Sequence, residues 1–218
     1  MHETTRYVKA APMTIAPVTL EGRKVRLIPM TRDHVQALFA AANFPPIWEL
    51  TGTLPMNRIE DMRQYVDVAL AERDAGTAIP FVTTDAKTGA VIGSTRFANI
   101  DLNDHHVEIG WTWMSPDRQR TGINGEAKSL MLQHAFDHWG ALRVEIKTDV
   151  RNAKSRAAIE RLGAKCEGIF RQHKIVREGR LRDTVYYSII DTEWRDPNHR
   201  AYQNAVSFGI TPKPDPML

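Results

Sequence analysis

The stretch "VEIGWTWMSPDRQRTGINGEAKSLMLQHAFDHWGALRVEIKTDV", residues 107–150, decides the fold. Residues 107–115 alternate as a strand does: Val107, Ile109, Trp111 and Trp113 on one face, Glu108, Gly110, Thr112 and Met114 on the other. A loop with Gln119, Arg120, Gly122 and Gly125 follows. From about residue 123 to 139, apolar residues fill a wide arc: Ala127, Leu130, Met131, Leu132, Ala135, Phe136 and Trp139. A helix so patterned lies against a sheet with little of it exposed. Gly140 stops it, and 143–149 reads as the next strand. The two strands are expected to be parallel, joined by the helix.

Upstream, "RKVRLIPM" reads as a strand ended by Pro29. Thr31 is a plausible N-cap for a helix with Val35, Leu38, Phe39 and Ala42 inward. Prolines and glycine break 44–55, and a second helix is expected over 57–74. Residues 78–100 read as a hairpin around the Thr88–Gly89 turn. Downstream, 152–164 is a short helix ending at Gly163, and 165–190 a second hairpin turning at 178–180. This order predicts one α/β domain, a mixed and mostly antiparallel sheet with one splayed parallel pair and helices on both faces. Residues 1–17 read as a flexible arm, 18–193 as the domain and 194–218 as a tail.

The 218 residues suit one large domain. A net charge of +3 is small for this length, and the basic residues are interspersed with acids. No nucleic-acid partner is expected, although a modest positive field favours an anionic ligand. The single cysteine, Cys166, allows no internal disulfide. No apolar run is long enough to span a membrane, and Pro12, Thr14 and Pro17 interrupt any signal-peptide core. A soluble, cytoplasmic protein is expected.

The loop leaves a strand and opens a buried helix, whose first turn has free N–H groups and the positive end of the dipole. Such a junction can hold a phosphate or pyrophosphate. It is neither the G-x-G-x-x-G fingerprint nor a P-loop. The alternative is a tight turn with no ligand. The next segment bears on the choice, because Asn152 and Ser155 open another helix after the second strand.

At these residues the chain resembles the GNAT family of acyl-CoA-dependent N-acyltransferases, within it the branch of ribosomal-protein N-terminal alanine acetyltransferases. "QRTGIN" is similar to the family's pyrophosphate loop, with Asn124 where Gly or Ala is usual. "N-x-x-S" at Asn152 and Ser155, "AAIERLGA" and "GRLRDTVYYSII" match the branch too, and the resemblance covers about 18–193. It implies acetyl-CoA as co-substrate and no metal. It implies that Gln119, Arg120, Thr121, Gly122, Ile123, Asn124 and Gly125 form the pyrophosphate cradle. Trp113, Met114 and Ser115 would pair with the pantetheine arm, and Asn152 would reach the pantetheine or the reacting end. The acceptor would be a primary amine, of a protein N-terminus or a small molecule. A homodimer is compatible with this reading.

Transfer to an amine needs a neutral amine, a polarised thioester and a proton for the leaving thiolate. Glu108 is the candidate base, or else a strand glutamate facing solvent or an arginine. Ser155 is the candidate thiolate donor, or else a helix cap. Tyr186 and Tyr187 are alternates, one of which faces the core. His105 and His106 lack a third metal ligand at suitable spacing. Cys166 reads as a small core or strand residue, and Trp48 as a core or acceptor contact. The rival is a non-catalytic acyl-CoA-binding or regulatory module of the same fold.

Overall fold

A computed structural model describes residues 11–53 and 55–214. Its strands are β1 (Leu20–Glu21), β2 (Val25–Pro29), β3 (Ile79–Asp85), β4 (Val91–Asp101), β5 (His106–Met114), β6 (Arg143–Asp149), β7 (Lys165–Ile175) and β8 (Leu181–Ile190). They form one sheet in the order β1-β2-β3-β4-β5-β6-β8-β7. Among the described residues only the β5–β6 pair is parallel. The expected mixed sheet is therefore present, extended by the short β1.

Helices cover both faces. On one lie α1 (Val35–Ala42) and α2 (Ile59–Asp74). Met62, Tyr65, Val66, Ala69 and Leu70 form the buried stripe of α2, at the spacing of one helical face. The Asp61 carboxylate accepts from the N–H groups of Arg58 and Asn57 at the start of α2, at 2.8 and 3.1 Å. These helices pack with Met30, Val82, Trp48 and Trp113. On the other face lie α3 (Ile123–Gln133) and α4 (Ala153–Leu162), over Leu27, Phe81, Phe97, Val144 and Ile146. The helix expected to run to 139 changes to a π turn at His134–His138.

Two expectations need correction. The first is the tail. Residues 194–218 do not simply trail: Trp194, in α5 (Asp191–Arg195), and Ala201 and Ala205, in α6 (Arg200–Ser207), are fully buried. Trp194 Nε1 donates to Asp137 Oδ1 at 2.9 Å. The buried stripe of α6 consists of alanines, a weak apolar signal in a polar sequence. Residues 215–218 lie outside the described residues, as do 1–10 of the expected arm, whose described part buries Met13.

The second is the alternation of β5. Trp111 has φ 48°, and the register against β4 shifts from Arg96↔Gly110 to Ser94↔Trp113. This is a β-bulge. Before it, Val107 and Ile109 face α3; after it, Met114 does, while Trp111 and Trp113 pack with the α1–α2 cluster. A one-residue insertion exchanges the faces, which alternation cannot anticipate.

Candidate active site

The β5–β6 ladder is short. His106, Val107 and Glu108 pair with Arg143, Val144 and Glu145, and the pairing then ends. β5 continues to Met114 and β6 to Asp149, so the strands part like a fork. Backbone groups on the facing edges of the two prongs have no ladder partner across the gap.

The loop opens beside the free prong of β5. Gln119 Nε2 donates to the Met114 carbonyl at 3.2 Å, fixing the loop to the strand. Thr121 Oγ1 donates to the Arg118 carbonyl at 2.7 Å, and Lys24 Nζ to the Thr121 carbonyl at 3.1 Å. Arg120 and Gly122 have φ of 62° and 87°, and Gly122 is the residue before α3. Among the described residues, the N–H groups from Arg120 to Gly125 find no acceptor; the next bond is Glu126 N to Gly122 O, at 3.1 Å. This is an uninterrupted run of donors at a helix N-terminus, on residues that are exposed or half-buried except Ile123. The cradle fits an anion of phosphate chemistry. Arg120 is exposed beside it, whereas Arg118 is already bound to Asp85 at 2.9 Å.

The two glycines differ. Gly122 carries the left-handed backbone, and a Cβ there would approach only Lys24 Nζ, at 3.1 Å. A Cβ at Gly125 would stand 3.1 Å from Phe208 Cζ. Gly125 therefore leaves room for Phe208 of the C-terminal segment. Glu126 is buried and accepts from the N–H groups of Arg23 and Lys24 at 2.9 and 2.8 Å, tying α3 to the start of β2.

Glu108 sits at the crotch of the fork. Its Oε2 accepts from Asn99 Nδ2 at 2.6 Å and lies 3.0 Å from Lys147 Nζ. Lys147 also pairs with Glu145 at 2.9 Å and lies over the Tyr186 ring, 4.6 Å from its centroid. Burial lowers the proton affinity of Lys147, but the two carboxylates outweigh it and the pKa is raised. Tyr186 continues the cluster to His173 Nε2 at 3.3 Å. Tyr187 faces the core, where its hydroxyl donates to Glu160 at 2.9 Å. Neither Lys147 nor Asn99 stands out in the sequence. Alternation on 143–149 does place Arg143, Glu145 and Lys147 on one face, which is the available signal for Lys147.

At the other prong, Asn152 precedes α4 and its Oδ1 accepts from Ser155 N at 3.0 Å. Asn152 is thus the cap, and the Ser155 hydroxyl is left without a partner among the described residues. Trp48 is buried, its ring 5.3 Å from that of Trp113. Cys166 is exposed on β7, not in the core. His105 is buried near the Gly140 carbonyl at 3.4 Å, and His106 lies 3.7 Å from Asp101. Among the described residues no three His, Cys, Asp or Glu side chains are grouped to hold a metal ion.

On the α3 side of β5, Lys128 is buried between two hydroxyls. Its Nζ donates to Thr112 Oγ1 at 2.5 Å and Thr95 Oγ1 at 2.9 Å. Burial lowers its pKa to about 7.

Residues 24–165 match the model of the acetyltransferase (GNAT) domain. The putative ribosomal N-acetyltransferase YdaF of Bacillus subtilis is 35% identical over 106 residues, 49% of this chain and 57% of YdaF, so this match spans little more than half of that relative. A GCN5-related N-acetyltransferase from Brucella melitensis superposes with a TM-score of 0.79 at 32% identity, covering 85% of each chain. A probable GNAT acetyltransferase from Chromobacterium violaceum gives 0.82 at 28% identity, over 90% of this chain and 98% of that one. With the sheet forked at β5–β6 and a donor-rich loop at its mouth, the chain belongs to the GNAT acetyltransferase family.

Proposed function

We propose that the protein moves the acetyl group of acetyl-CoA to a primary amine, of a protein N-terminus or a small molecule, by direct transfer in a ternary complex. The carrying observation is the run of unpaired N–H groups from Arg120 to Gly125 at the open fork. In this reading those groups hold the pyrophosphate, with Gln119 keeping the loop in place. The free edge of Trp113, Met114 and Ser115 pairs with the pantetheine arm. Mycobacterium smegmatis RimJ supports the cofactor reading: it shares the fold at a TM-score of 0.74 and 23% identity, over 88% of this chain and 95% of RimJ, and is in complex with CoA-disulfide.

Bound acetyl-CoA supplies an activated carbonyl. Glu108 receives the acceptor's ammonium at the crotch and takes its proton, directly or through water. Asn152 orients the reacting end, and the unpartnered Ser155 hydroxyl donates to the thiolate as it leaves. No covalent bond to the protein is required. A cytoplasmic location goes with this reading; among the described residues no helix is long and apolar enough to cross a membrane.

One observation favours the rival, a non-catalytic acyl-CoA-binding module: Glu108 is already engaged by Lys147 and Asn99. Calorimetry with acetyl-CoA, followed by a CoA-release assay over mixed amines, separates the two. Transfer is expected to give acceptor-dependent CoA release. Tight binding with no release above the acceptor-free rate across the panel establishes the rival.

A further inference from the structure

On the open face of the sheet, β8 presents Arg182, Thr184 and Tyr186 in alternation, with Tyr186 opposite Lys147 and Thr184 opposite Asp149. Most cations of this face are spoken for. Lys147 is held by Glu108 and Glu145, Arg143 by Glu145 and Glu167, and Arg180 by Asp149 at 2.5 Å. Among the described residues Arg182 is the exception that is not exposed to solvent. It is half-buried, its Nε is fully shielded from solvent, and its side chain makes no hydrogen bond or ion pair among the described residues. Its Nη1 lies 3.5 Å from where a Cβ on Gly52 would stand, so the side chain reaches from the sheet to the loop after Trp48. Glu108 and Asp149 are near enough to act on it electrostatically.

An unpaired, partly desolvated guanidinium is costly, and a carboxylate would satisfy it through two parallel bonds. We propose that the amine acceptor carries a carboxylate, gripped by Arg182 while Glu108 receives the amine. The proposal rests on the acetyltransferase reading and names its substrate class. The surrounding hairpin agrees: besides Arg182, the basic residues Lys165, Arg171, Lys174, Arg177 and Arg180 outnumber the acidic Glu167, Glu178 and Asp183 over 165–190. A basic surround of this kind favours the approach of a carboxylate. An α-amino acid and a peptide with an acidic residue near its N-terminus both present this chemistry.

The test is steady-state transfer from acetyl-CoA to matched acceptors. One arm sets free amino acids against their decarboxylated amines; the other sets peptides with Asp or Glu at the second position against Asn or Gln. In at least one arm the carboxylate member is expected to have a kcat/KM about tenfold higher or more, and the arm that discriminates identifies the source. Arg182→Gln should erase the preference through acceptor KM, with acetyl-CoA affinity unchanged, and Arg182→Lys should restore part of it. The wild-type comparison stands even if the variants fold poorly. Equal use of both members in both arms, or transfer to no carboxylate-bearing acceptor while acetyl-CoA still binds, overturns the proposal. Failure to bind acetyl-CoA sinks the functional reading itself.

Discussion

The fork in the sheet has two faces, and each holds a lysine. On the open face, Lys147 lies between Glu108 and Glu145, and its pKa is raised. On the α3 face, Lys128 has only the hydroxyls of Thr95 and Thr112, and its pKa falls to about 7. The residue type is the same, but Lys128 is buried and Lys147 half-buried. The partners differ too: two carboxylates touch Lys147, whereas Lys128 bonds only to hydroxyls. The open face is therefore built for charge and suits the arrival of an ammonium. The α3 face is an apolar core crossed by one poorly compensated amine. Chemistry is expected on the first and stability effects on the second.

The largest effect should come from the open face. Glu108→Gln keeps the shape but cannot take the proton, so turnover should fall by roughly 10²-fold or more. Acetyl-CoA affinity, measured by calorimetry, should hardly change. Near-wild-type turnover at saturating substrates would leave catalysis to substrate positioning alone and reduce Glu108 to a partner of Lys147. Next in size is the mouth of the fork. Gly122→Val puts a branched side chain at φ 87°, a conformation costing roughly 1–3 kcal/mol or more. Acetyl-CoA binding should weaken by about tenfold or more as the donors are displaced.

The α3 face should answer in stability and its pH dependence. The Lys128 pKa is about 7 in the folded state, below its unfolded value. Between the two, the unfolded chain binds the extra proton, so this group makes stability rise with pH from about 7 toward about 10, by at most about 1.4 kcal/mol per unit. Below pH 7 its contribution is flat and unfavourable. Lys128→Met should match or exceed the wild-type melting temperature at pH 7, with that advantage shrinking as pH rises. An advantage constant from pH 7 to 10 would show that Lys128 is not neutralised by burial. The smallest change is Gly125→Ala. The new methyl meets Phe208 at 3.1 Å, while helix propensity improves by about 1 kcal/mol. Net stability should move by less than about 1 kcal/mol, and chemical denaturation can measure it.

The sequence is most legible where a period is long and unbroken. Residues 107–150 carry the strand–helix–strand unit, and the order of elements around it matches the observed sheet. The bulge at Trp111 was hidden because a single inserted residue leaves no compositional mark. The packed α6 was hidden because its buried residues are alanines. In the candidate site, the loop and Asn152 are legible because glycines and capping residues act locally. Lys147, Asn99 and Arg182 are not: their meaning comes from partners on other strands, brought close only by the register of the sheet. Gly125 has a second reason to be glycine in Phe208, far along the chain.

The central claim is that the Arg120–Gly125 donors bind the pyrophosphate of the cofactor. Calorimetry comparing acetyl-CoA with acetyl-pantetheine, which has the same thioester and arm but no phosphates, tests it most directly. Acetyl-CoA is expected to bind at least about 100-fold more tightly, with the difference shrinking at high salt. Equal affinity for the two, or no binding of acetyl-CoA at millimolar concentration, would contradict the account.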